Sequence, residues 1–452
     1  MSRDRKSDVD TLLGEPKGAI RALAIPMLFS YLVVQVNLYV DTFWTSGLGS
    51  AASSAISTIT PLYSIITAIG TSIGVGVTST IAFRLGKGDF ERASKLAGNS
   101  LILGVAAGIA VSSVMYVLYD PLVDYMGADD VRELSWDYVL PYFMMSWALI
   151  TNSIVVALLR SEGAGKKSMV VLVSSAVVNM TLDPLLIYVL GMGLFGAAMA
   201  TTLSALFTAV LGLCWYLTGR MTIHLDRRSV SPEWGAMREV LSVGAPKAAD
   251  SIINNAIVLT QRVFIIAVAG TLGVMWFNMP WRYVSLSSVP SEALTAAMIP
   301  VAAAGMGQGD ASKMSLSMDY VAKLNLVIGV ILTVVIFVLA DPLMGVFIRD
   351  PTMEENREML VWTLRALAFC IVPSSFTRYF SSTLQAMKSS LKSTKVMIFW
   401  AFIKLGMIAA GSLFSFEWVI IALVASHFIS SSCMGYMSYT TRRRIIRGLT
   451  AA

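Results

Sequence analysis

Long apolar runs separated by short charged turns dominate the chain. Leu101 to Leu118 and Val170 to Leu190 are representative, and neither shows the two-residue alternation of a barrel strand. An apolar run of roughly 17–25 residues can cross a bilayer as a helix. The pattern predicts twelve spans, over about 19–45, 54–83, 95–118, 134–159, 168–190, 194–217, 238–268, 274–303, 316–340, 358–385, 394–414 and 417–438. Several exceed the hydrocarbon thickness, so tilt or ends protruding into water are expected. Lipid offers no hydrogen-bond partners, and a helix satisfies its own backbone. The expected fold is an all-α polytopic membrane protein.

Composition agrees. Of 452 residues, 56% are hydrophobic and 14% charged, with a mean hydropathy of +0.70. A soluble domain carries nearer a quarter charged residues. The first 18 residues are polar, without the order of a cleaved signal peptide. The three cysteines and two histidines stand apart from one another, with neither metal-ligand nor disulfide spacing.

The charged turns alternate. Arg84, Lys87, Arg92 and Lys95 follow the second span; Arg160, Lys166 and Lys167 follow the fourth; Arg220, Arg227 and Arg228 follow the sixth. Lys388, Lys392 and Lys395 follow the tenth, and Arg442, Arg443, Arg444 and Arg447 the twelfth. The intervening turns are poorer in Lys and Arg, and Asp120, Asp124, Asp129 and Asp130 dominate the one after the third span. Basic turns stay cytoplasmic, so both termini are expected inside, in the plasma membrane. The net charge of +6 is mostly this signal, and no nucleic-acid partner is expected.

The chain repeats itself. Pro26 opens the first span and Pro246 the seventh, 220 residues on. Arg84-Leu-Gly-Lys-Gly-Asp89 recurs as Gly305-Met-Gly-Gln-Gly-Asp310, and Asp120-Pro-Leu122 as Asp341-Pro-Leu343, each offset by 221. Leu159 to Ser168 has a weaker echo in Leu384 to Ser393. Six spans per half make a parallel repeat: two six-helix lobes related by a pseudo-twofold axis along the membrane normal, the layout of an alternating-access transporter. The expected divisions are a cytoplasmic segment 1–18, an N-lobe 19–220, a cytoplasmic linker 221–235, a C-lobe 236–440 and a basic tail 441–452.

Two acids stand out. Asp41 lies within the first apolar run, where an aspartate at the bilayer centre costs about 2.5–3.5 kcal/mol on insertion scales. It must face a cavity or a partner. Gln35 and Asn37, both substrate-cavity candidates, precede it on the same helix, Asn37 one turn away. Asp183 repeats the pattern, with Asn179 one turn before it. Pro184 follows directly and is expected to break the helix locally, freeing carbonyls near the carboxylate. Two buried carboxylates with amide neighbours can hold and release a proton, or bind sodium through oxygen; Asp41 and Asp183 would then be the metal ligands. The plainer alternative for Asp183 is a neutral structural aspartate. Pro26 can bend the first helix, either as a static kink or as a conformational switch.

The motifs resemble those of the multidrug and toxic compound extrusion (MATE) transporters over essentially the whole chain. The likeness rests on Ile25-Pro26, Val40-Asp41-Thr-Phe-Trp44, Gly86-x-Gly88-Asp89, Leu159-Arg160-Ser-Glu-Gly163, Asn179-Met-Thr-Leu-Asp183-Pro184 and Gly196-Ala-Ala-Met-Ala-Thr201. The contexts of Asp41 and Asp183 look most like the archaeal and DinF-like branch. One departure is Val34, where relatives often carry Gln. The resemblance implies a monomer that exports small amphipathic organic compounds in exchange for H+ or Na+, with no cofactor. It also implies a central cavity lined by helices 1, 2, 7 and 8, to which Tyr138 and Thr201 are candidate contributors; as bland alternatives, the first is an interface tyrosine and the second a packing residue.

The second half lacks the matching acid, since Gln261 stands where the repeat would place Asp41. It carries Lys247, Asp250, Arg262, Arg282, Glu292, Arg378 and Lys404 within or near apolar runs. Gln261, Arg262 and Arg282 are therefore further cavity candidates, as a basic wall for an anionic or zwitterionic substrate, although a structural ion-pair network with Asp250 and Glu292 is the favoured reading of the charges. A lipid-linked oligosaccharide flippase of the same superfamily is the alternative function. An enzyme is not expected, because no HExxH, GxSxG or phosphate-binding loop occurs.

Overall fold

The turns between apolar runs carry residues that start and stop helices. Glu15 caps the first long helix by accepting from the backbone N–H groups of Lys17 (3.2 Å) and Gly18 (2.6 Å), and Pro16 occupies its first turn. A computed structural model describes residues 3–126, 129–346 and 354–450. The side chain of Asp129, and the ends of the 1–18 and 441–452 segments, lie outside the described residues.

In chain order the helices are α1 (Arg3–Leu13), α2 (Pro16–Ser46), α3 (Ser50–Gly86), α4 (Phe90–Met126), α5 (Arg132–Ser161), α6 (Gly165–Pro184), α7 (Gly193–Leu217) and α8 (Trp234–Ser287). Then follow α9 (Val289–Gly307), α10 (Ala311–Val338), α11 (Ala340–Gly345), α12 (Arg357–Ala368), α13 (Ile371–Ala386), α14 (Ser390–Ser412) and α15 (Phe416–Thr450). No strand occurs among the described residues. Twelve stretches are long and apolar enough to cross a membrane. Bulky apolar side chains such as Ile25, Val117, Leu217, Val263, Val338 and Phe402 point outward, as a lipid-facing surface requires.

Two boundaries differ from expectation. The eighth span is Val289–Gly307, not 274–303. Ser285 to Pro290 stops the preceding helix, and Pro290 starts α9 within its first turn, where a missing N–H costs nothing. Gly270, at φ +59°, breaks α8 before that, a conformation glycine alone adopts cheaply. The basic segment after 440 continues α15 as helix to Thr450. Polar ends still form helix beyond the hydrocarbon, which hydropathy does not register.

The chain forms two compact units, residues 1–248 with 303–308, and residues 249–302 with 309–452. In the first, α5 packs against α3, α4 and α7, while α6 packs against α2 and α7. In the second, α15 packs against α13 and α14, and α10 against α13.

The repeat reappears as geometry. Gly88 (φ +74°) and Gly309 (φ +73°) take the left-handed conformation at matching positions. The next residue then caps a helix: Asp89 Oδ1 accepts from Arg92 N at 3.1 Å, and Asp310 Oδ1 from Lys313 N at 2.8 Å. Each Asp-Pro motif meets an arginine at the following helix: Arg132 Nη1 lies 2.8 Å from Asp120, and Arg357 Nε 2.9 Å from Asp341. Gly163 (φ +80°) corresponds to Lys388 (φ +53°) in the weaker echo.

Within the first unit the matching glycines meet. A Cβ on Gly86 would lie 2.2 Å from the Ala304 carbonyl oxygen, and one on Gly307 would lie 2.1 Å from that of Phe83. Only glycine permits these backbones to approach so closely.

The linker between the repeats is anchored to the same unit. Arg84 donates to both oxygens of Glu239 at 3.0 Å, and Arg92 to Glu233 at 2.5 Å. Glu162 is fully buried in the turn between α5 and α6, where its Oε2 accepts from the backbone N–H groups of Thr222 (2.8 Å) and Ile223 (3.2 Å). The Tyr216 hydroxyl sits beside the same carboxylate without completing a hydrogen bond; it and Glu162 Oε1 are both unpartnered. Burial pushes the Glu162 carboxyl up to about 7, against the opposing pull of the two backbone donors.

Candidate functional site

The first unit brings the two singled-out acids together. Asp183 on α6 is fully buried, and Asn179 is 3% exposed. Asn179 Nδ2 lies 3.3 Å from Asp183 Oδ1 and 3.4 Å from Thr201 Oγ1 of α7. Asp183 Oδ2 is buried with no partner. Asp41 on α2 is half-buried and within electrostatic range of Asp183.

Local sequence explains the placement. Pro26 denies the Ala22 carbonyl its helical donor. That oxygen faces Gly165 of α6, whose absent side chain lets α2 and α6 close together (a Cβ would lie 2.8 Å away). The far end of α2 is tied to the segment that follows α6 by Tyr188, whose hydroxyl donates to the Trp44 carbonyl at 2.6 Å. Pro184 does not break the helix, contrary to the sequence expectation. Its fixed φ is compatible with helix, and Leu185–Val189 continue as a wider turn, with Leu190 N donating to Leu185 O at 2.9 Å. The proline still has no N–H for the Met180 carbonyl.

An aromatic group adjoins the acids. Tyr138 and Tyr142 on α5 are buried, and Tyr142 donates to the Tyr138 hydroxyl at 3.3 Å. Tyr63 of α3 lies against Tyr142, with ring centroids 4.8 Å apart. All three tyrosines are within electrostatic range of Asp41. The sequence reading selected Tyr138 but missed Tyr63 and Tyr142. The four-residue spacing of Tyr138 and Tyr142 was the available signal.

Other candidates stand apart. Gln35 and Asn37 are half-buried on α2, and among the described residues no hydrogen bond links either to Asp41; the Asn37 carbonyl oxygen is buried without a partner. In the second unit Gln261 is buried, while Arg262 and Arg282 are exposed. Asp250 accepts from Ser393 at 3.1 Å, and Glu292 from Ser288 at 2.8 Å.

Chemically, the first-unit site presents two carboxylates, an amide and a hydroxyl. Among the described residues no cluster of three or more His, Cys, Asp or Glu is placed to hold a metal. The carboxylate and hydroxyl oxygens suit a hard cation or a proton, while the amide presents its nitrogen to Asp183 and Thr201.

This chain's twelve spans, internal repeat and buried Asp183 with the half-buried Asp41 nearby are the features expected of a transporter. The MatE family model matches it twice, over residues 26–185 and 246–410, and the chain belongs to that family. The two matches begin at Pro26 and Pro246, the same residues that opened the repeat. The chain is 26% identical to the FAD transporter of Shewanella oneidensis, covering 76% of this chain and 77% of that one. It is 23% identical to the multidrug export protein MepA of Staphylococcus aureus, over 81% of each. A MOP superfamily transporter from Pyrococcus furiosus superposes with a TM-score of 0.92 at 27% identity, covering 99% of both chains. The family consists of transporters, and this protein is a transporter, not an enzyme.

Proposed function

We propose that this protein is a secondary active efflux antiporter that exports amphipathic organic compounds in exchange for H+ or Na+ by alternating access. The observation that carries this reading is Asp183. Its carboxylate is fully buried, and among the described residues one oxygen is bonded only by Asn179 and the other has no partner. A buried carboxylate in that state needs a proton or a cation, and Asp41 supplies a second charge nearby. Binding one ion neutralises the pair, and releasing it restores the repulsion. That difference between loaded and empty states is what coupling requires.

Sodium would be held by the Asp41 and Asp183 carboxylates with the Asn179 and Thr201 oxygens; a proton would sit on either acid. Pro26 is the proposed hinge of α2, because the helix is already weakened there. Multidrug export by the Staphylococcus relative supports an amphipathic substrate. The relatives give the flippase alternative no specific support. The basic turns support a plasma-membrane protein with both termini in the cytoplasm. A cysteine introduced at position 89 should be labelled only from the cytoplasmic side.

The deciding experiment uses proteoliposomes loaded with a fluorescent cationic drug. Replacing sodium with potassium at fixed pH, and then collapsing the pH gradient, separates the two ions. Efflux should stop in one arm. Efflux that persists with both gradients removed overturns the antiport reading.

A further inference from the structure

The second unit holds a group of basic side chains that the carboxylate site does not use. Lys404 on α14 is 4% exposed, with its ammonium 5.0 Å above the Trp400 ring. His427 on α15 is tilted against the same ring, with centroids 5.7 Å apart, and lies within electrostatic range of both Lys404 and Arg378 of α13. Two of their nitrogens, Arg378 Nε and His427 Nε2, are buried with no hydrogen-bond partner. The acid that faces the group is Glu292, opposite Arg378. Lys404 has no carboxylate within ion-pairing distance among the described residues; the buried Cys370 is also within its electrostatic range.

Three adjoining helices therefore bring three nitrogen-bearing side chains near one another, with one acid against two cations among the described residues. Unsatisfied buried donors and uncompensated positive charge are both costly in a membrane. An oxyanion relieves both at once, because its oxygens accept from several N–H groups while its charge balances the lysine. Trp400 adds a flat apolar wall beside the charge, which suits a ligand carrying its anionic group on an aromatic or other apolar body.

We propose that Lys404, Arg378 and His427 form a binding site for the phosphate or carboxylate group of an amphipathic organic anion. The inference rests on the transport reading but names its own ligand class. It predicts that the substrates include anions, bound in the second unit, separately from the coupling acids in the first.

The test is equilibrium binding to the purified full-length protein in detergent, which needs no ion gradient and so fails independently of antiport. Two probes share one ring system, 1-naphthyl phosphate and 1-naphthylmethylammonium, and Trp400 provides a nearby fluorescence reporter. The phosphate should bind at least tenfold more tightly than the ammonium. Lys404→Gln and His427→Leu should each weaken the phosphate at least tenfold, Lys404→Arg should retain it, and none should alter ammonium binding. A Lys404→Gln variant that melts at or above the parent temperature shows that lost affinity is not misfolding. Equal affinity for the two probes overturns the proposal, as does phosphate binding that survives both Lys404→Gln and His427→Leu.

Discussion

Asn179 donates through Nδ2 to Oδ1 of Asp183, 3.3 Å away and one turn further along α6. The same nitrogen lies 3.4 Å from Thr201 Oγ1, so a single amide bridges α6 and α7 at the carboxylate. Asn179→Ala removes the only side-chain donor to Asp183 among the described residues. The expected result is an inserted protein whose half-saturating ion concentration shifts about tenfold, equivalent to about 1.4 kcal/mol. An unchanged ion dependence of efflux would remove Asn179 from the site.

Asp41→Asn and Asp183→Asn keep shape but fix each position neutral. Each should reduce ion-driven efflux at least tenfold, while expression and melting temperature stay near the parent values. Asp183→Asn should stabilise the protein if anything, since a buried charge disappears. Normal efflux in both variants would refute the coupling assignment.

Glu162 predicts a pH dependence of stability. Its carboxyl titrates at about 7 in the folded protein against an ordinary value of 4.5. Between those values the folded state holds a proton that the unfolded state has lost. Stability from this group is therefore complete below about 4.5 and falls as pH rises through 7, by roughly 3 kcal/mol in all. Glu162→Gln keeps an acceptor for Thr222 and Ile223 but cannot titrate. Melting curves from pH 5 to 8 should show the parent losing stability and the variant changing less. Parallel profiles would dispose of the idea.

The glycines of the duplicated turn make separable predictions. Gly86→Ala drives a methyl against the Ala304 backbone, and overpacking of this kind costs about 1–3 kcal/mol. Gly88→Ala meets open space, so it carries only the left-handed backbone cost of about 1 kcal/mol. Gly86→Ala should lower the melting temperature more. The reverse order would mean that the contact relaxes at little cost.

The twelve spans were legible because lipid imposes one pattern on every crossing. Asp41, Asp183 and Asn179 were legible for a related reason: a carboxylate inside an apolar run demands an explanation. Tyr63 and Tyr142 were not, because aromatic residues are ordinary in membrane helices and only the packing of α3 on α5 joins them. Glu162 hid in a polar turn, where an acid looks solvated until the linker covers it. Lys404, Arg378 and His427 stand on three helices with no shared spacing. The eighth span was misplaced because the apolar run after the break at Gly270 forms a further helical segment that stops at Ser287, before the span that begins at Val289.

The reciprocal contact of Gly86 on Ala304 and Gly307 on Phe83 has the form of an isologous interface. Two separate half-length chains, meeting about a two-fold axis, would make the same contact twice. Joined in one polypeptide, the halves find each other at the effective concentration set by a short connection and no longer depend on protein level for assembly. They are also released from sharing a sequence. A symmetric dimer would have to place an acid on both sides or on neither. The fused chain carries Asp41 in one half and Gln261 at the matching place in the other, so a single gene can divide its labour between halves that began alike.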